Sequence, residues 1–79
     1  MATFTQKDKQ RALTNARQEI ARIEGEGTQI QMELMAERAR GYLEALVIMR
    51  AITQPEYAQL LTEVMEVESA ELSAHSEGR

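Results

Sequence analysis

Three groups of residues have types and spacings that chemistry could use. Glu63, Glu66 and Glu68 fall within two helical turns, and carboxylates that close can serve as an acid/base pair or hold a metal ion. The di-iron bundles that such acids would imitate add a Glu-x-x-His pair on facing helices. Here the only histidine is His75, near the C-terminal end, with no glutamate three residues before it. A solvated acidic face is the plainer reading. Lys7, Lys9, Arg11, Arg17 and Arg22 could hold phosphates. Lys7 and Arg11 share a face by their i,i+4 spacing, but Arg17 and Arg22 point elsewhere, so no continuous basic stripe forms. Gly25 and Gly27 are followed by no basic residue until Arg38, which removes a phosphate loop. No catalytic set, cofactor or metal site is expected, and nucleic acid is a disfavoured partner.

Composition narrows the field further. Seventy-nine residues with no cysteine, one proline and four glycines make one domain without disulfides or thiolate metal sites, built from good helix formers. At this size a lone hydrophobic core rarely supplies more than about 3–5 kcal/mol, so self-association is the expected reinforcement. No apolar run is long enough to span a membrane. The opening residues lack a signal-peptide pattern, and a cytoplasmic location is expected. Charge is uneven: residues 1–24 carry net +2, residues 25–50 net −1 and residues 51–79 net −5. A basic first helix beside an acidic last one suits that gradient.

The elements follow from caps and apolar spacing. Thr5 with Asp8, Thr28 with Gln31, and Thr53 with Glu56 each read as a helix start, and Pro55 is tolerated in a first turn. The expected fold is all-α, a three-helix bundle or antiparallel helical hairpin, with helices at about 5–24, 28–50 and 54–72. A single helical domain would then cover 1–74, with a frayed tail at 75–79. Leu13, Ala16, Ile20 and Ile23 recur at spacings of three and four, narrow enough for a coiled-coil-like seam. That stripe continues in phase through Gly27 to Ile30 and Leu34, which leaves open one unbroken helix of about 45 residues. The cap at Thr28, with Gly25 placed to end the preceding helix, favours a break.

The second helix carries more apolar surface than one core needs. From Tyr42 to Met49 only Glu44 is polar. Met35, Ala39, Tyr42, Leu43, Leu46 and Met49 form one stripe, while Leu34, Gly41, Ala45 and Ile48 form another. Large uncovered apolar faces are unusual on soluble monomers. A homodimer is therefore expected, with Gly41 and Ala45 letting helices approach and Ile48 supplying buried area. A separate protein partner would use Tyr42, Val47, Met49, Arg50 and Tyr57, because tyrosine and arginine are enriched at binding hot spots.

The segment from Leu43 to Leu61 resembles the short helical-hairpin modules at the C-termini of many small bacterial proteins. Leu43, Leu46, Ile52, Thr53, Glu56, Tyr57 and Leu61 match their order of spaced leucines, Ile-Thr, glutamate, aromatic and leucine. Arg50 stands at the family's glycine position, and its later lysine is missing. The resemblance implies oligomerisation or protein binding. The combined expectation is a non-enzymatic, self-associating helical protein that binds and modulates another bacterial protein, as adaptors and small phage inhibitors do. The alternatives are an acidic decoy in which Glu63, Glu66 and Glu68 occupy a basic nucleic-acid groove, and a nucleic-acid regulator using Lys7, Lys9, Arg11 and Arg17.

Overall fold

The structure, a computed structural model, describes residues 4–78. It contains three helices, α1 (Gln6–Ala21), α2 (Gln29–Ile48) and α3 (Gln54–Ser76), arranged as an all-α three-helix bundle. All three expected caps start a helix. Asp8 N–H donates to Thr5 Oγ1 (3.1 Å) and Thr5 N–H donates to Asp8 Oδ2 (3.2 Å). Thr28 Oγ1 accepts from Gln31 N–H at 3.1 Å. Thr53 and Glu56 close the second reciprocal box, with Pro55 in the first turn of α3. The Thr5 N–H, then its hydroxyl, holds the Asp8 carboxyl below its ordinary range. Thr53→Ala is expected to lower stability by about 1 kcal/mol, the usual loss for a cap. Urea melts with an unchanged midpoint would show that this cap does not secure the turn between α2 and α3.

The chain breaks after α1 as the second cap required. Arg22 N–H still bonds Gln18 (3.2 Å), after which Ile23 and Glu24 make tighter three-residue bonds to Ile20 and Ala21. Gly25 then takes φ +79°, a left-handed conformation that costs glycine little. The same turn drives Ile23 fully into the core, so the stripe of α1 reaches its last anchor outside the helix. The tightened bonds and the left-handed Gly25 end α1 short of residue 24.

Ala12, Ala16, Ile20 and Ile23 meet Met32, Ala36, Ala39, Leu43 and Leu46 of α2, and Ala51, Ile52, Leu60 and Val64 complete the buried set. The short turns at 22–28 and 49–53 fold α2 back along α1 and α3 back along α2, with the ion pairs Glu19–Arg38 and Arg40–Glu68 between them. Arg17–Glu63 (3.3 Å) and Gly25–Glu71 (2.9 Å) then lie on one register between the parallel α1 and α3. α2 and α3 form the most extensive pair, and α1 touches α3 least.

The bundle measures 50 × 19 × 16 Å with a radius of gyration of 13.8 Å, against about 11.6 Å for a compact domain of this length. Its core is thus a narrow seam along a rod. α3 runs to Ser76, four residues past the expected end, because nothing between Leu72 and Gly78 breaks a helix. Residues 75 and 76, expected in the tail, are helical. His75 is half-buried there, and its Nε2 is sealed from solvent with no hydrogen-bond partner among the described residues.

Candidate interaction surface

α2 is buried along one side only. Its inward stripe is Met32, Ala36, Ala39, Leu43 and Leu46, while Ile30, Leu34, Gly41, Ala45 and Ile48 all remain exposed. The exposures of the large members decide the point: 72% for Ile30, 58% for Leu34 and 70% for Ile48. These positions share one side at 3.6 residues per turn. Gly41, Ala45 and Ile48 therefore lie on a single outward face, joined there by Leu34 and Ile30. The space over Gly41 is open, with nothing within 4 Å of an added Cβ.

Ile30 is the member that sequence reasoning missed. It falls in phase with the stripe of α1 through Gly27, so it counts toward a continuous helix until the break is known. Its signal is the 11-residue step to Gly41, which Leu34 and Ala45 repeat.

Of the five residues expected to bind a separate partner, three are partly buried. Tyr42 is half-buried on the α1 side of α2, in a shallow polar cleft of about 200 Å³ with Asn15, Gln18, Glu19, Arg22 and Arg38. Within it Glu19 Oε1 accepts from Arg38 Nε at 3.1 Å. Glu19 Oε2 lies 3.4 Å from Arg22 Nη1, an ion-pair contact without a hydrogen bond. Val47 and Tyr57 are partly buried against the core. Only Met49 and Arg50 stand exposed, at the turn after α2.

That turn is a Schellman motif. Ala51 N–H donates to Leu46 O (2.9 Å) and Arg50 N–H to Val47 O (3.1 Å), which puts Arg50 in the left-handed position at φ +62°. Glycine is the usual occupant of such a position. Arg50→Gly is expected to raise stability by about 1 kcal/mol by relieving the Cβ penalty. Thermal melts that move down would mean that the guanidinium contributes more than its backbone strain costs.

The acidic residues of α3 are largely engaged within the bundle. Glu63 pairs with Arg17 and Glu68 with Arg40, which also binds Glu37 at 2.7 Å. Glu66 is exposed and has no ion pair among the described residues. Lys7, Lys9 and Arg11 are exposed along α1. An open cleft of about 380 Å³ separates α1 from α3, lined by Leu13, Arg17, Pro55, Glu56, Gln59 and Leu60. Among the described residues no group of three or more His, Cys, Asp or Glu is placed to hold a metal ion, and no helix is long and apolar enough to cross a membrane.

A second residue missed from the sequence is Glu71, which is buried at 7% exposure. Its Oε1 accepts from Gly25 N–H at 2.9 Å, so the far end of α3 holds the turn between α1 and α2. Leu60, Val64, Val67 and Glu71 keep helical phase, and that phase was the available sign that this glutamate faces inward.

Set beside known proteins, the chain matches no protein-family model, no curated protein and no solved structure.

Proposed function

We propose that this is a self-associating helical protein that binds and modulates another protein, using the outward face of α2 for self-association and the exposed Met49–Arg50 turn for its partner. The carrying observation is the exposure of Ile30, Leu34 and Ile48 on one side of α2. Apolar side chains clustered this way on a folded surface mark interaction sites. Arg50 adds support at the turn, because a strained non-glycine residue tends to persist where its side chain has a task. A non-enzymatic role, a bacterial partner and an adaptor or phage-inhibitor setting belong to the same proposal. The helical-hairpin resemblance points the same way, since oligomerisation is what such modules do.

Sedimentation of the wild-type chain at micromolar concentration tests the self-association half, with a two-copy mass expected and a one-copy mass contradicting it. The acidic-decoy reading is less well supported, because Arg17 and Arg40 already neutralise Glu63 and Glu68.

A further inference from the structure

We infer that two copies pair through α2 in parallel, with the two-fold axis running along the helices. This deepens the self-association proposed above and rests on it. At 3.6 residues per turn, Ile30, Leu34 and Ile48 lie within about 20° of the direction of Gly41, and Ala45 within about 40°. The two edges of this apolar strip differ in charge. Glu37 and Glu44 lie about 40° and 60° to one side, and Arg38 about 60° to the other. All three are exposed; Glu37 also binds Arg40 at 2.7 Å, which leaves Glu44 as the uncompensated charge of the acidic edge.

A two-fold axis parallel to the helices brings opposite edges together. Arg38 of each copy then meets the acidic edge of the other, within one residue's rise of Glu37, and the contact occurs twice by symmetry. Antiparallel pairing about Gly41 brings like edges together. It sets Glu37 beside the second copy's Glu44 in two repelling pairs, and leaves Arg38 opposite Ala45. Charge complementarity therefore chooses the orientation, as edge charges do in helical pairs. Arg38 is equipped for the added contact. It engages Glu19 through Nε, and a guanidinium has further donors on its terminal nitrogens. The 11-residue steps from Ile30 to Gly41 and from Leu34 to Ala45 keep the strip nearly straight, so the pair can stay in register over the roughly 27 Å between Ile30 and Ile48.

The chain has no cysteine, so single introduced cysteines read the geometry directly. Gly41→Cys sits at the centre and forms a disulfide with its own copy in either orientation, which reports that α2 is the interface. In the parallel pair, Leu34→Cys and Ile48→Cys each crosslink with themselves, and a mixture of the two gives no mixed product. Mixed Leu34–Ile48 disulfides without the self-paired ones would establish antiparallel pairing and overturn the inference. If sedimentation shows a dimer but none of the three cysteines crosslinks, the copies meet elsewhere. The inference then fails while self-association stands. A wild-type monomer would remove both. Arg38→Glu, checked by circular dichroism for an intact fold, is expected to weaken dimerisation about tenfold, and an unchanged constant would count against the charge argument.

Discussion

Ile48→Glu is expected to leave the three helices folded and to separate the two copies. Within one chain Ile48 is 70% exposed, so a glutamate there stays solvated, and surface changes of this kind usually alter stability by about 0.5 kcal/mol or less. Inside a dry contact between two α2 helices the same carboxylate loses its water and finds no cation. That costs several kcal/mol, roughly two to three powers of ten in the dissociation constant. The expected result is a monomer by analytical ultracentrifugation with a helical circular dichroism spectrum close to wild type. Loss of the helical signal would place Ile48 in the fold itself. A surviving dimer would move the contact away from this face.

Glu71→Ala is the substitution expected to act most strongly on the fold. The carboxylate is buried and receives the Gly25 N–H, a charge-assisted bond of the stronger kind. Removing it leaves the turn after α1 without that acceptor and opens space beside α3. A loss of about 2 kcal/mol is expected, which lowers the melting temperature of a domain this small by roughly 10 °C. Glu71→Gln retains an acceptor of the same shape and should lose distinctly less. Equal losses in the two variants would assign the effect to the negative charge, and no loss in either would show that the turn holds without α3.

What the sequence disclosed and what it hid divide along a physical line. The starts of all three helices were legible because capping is a local exchange between a hydroxyl and an N–H three residues on, complete within Thr5–Asp8, Thr28–Gln31 and Thr53–Glu56. The break at Gly25 could be read for the same reason, and spacing placed Ala39, Leu43 and Leu46 inward and Leu34, Gly41, Ala45 and Ile48 outward. Met49, however, expected on the inward stripe, is exposed, and the fully buried Met32 and Ala36 were not counted on it. Glu71 was hidden because its partner is 46 residues away. From the sequence it counted only toward the acidic C-terminal third. Tyr42, Val47 and Tyr57 were assigned to one surface by residue type, whereas their positions around α2 and α3 set them against the core or facing α1. Arg50 is a further case. Its left-handed backbone at φ +62° is a conformation that favours glycine, and nothing in an arginine side chain announces it.

The register that ties Arg17 to Glu63 and Gly25 to Glu71 bears on the order in which the molecule assembles and comes apart. α1–α2 and α2–α3 are joined by short connections and can pair as soon as both members exist. The contacts between α1 and α3 must close a much longer loop first, at a larger entropic cost. Contacts of that kind tend to be absent from the folding transition state, and interactions made after the barrier act mainly on the rate of unfolding. The Glu71–Gly25 bond is therefore expected to set how long a folded copy survives more than how quickly one forms.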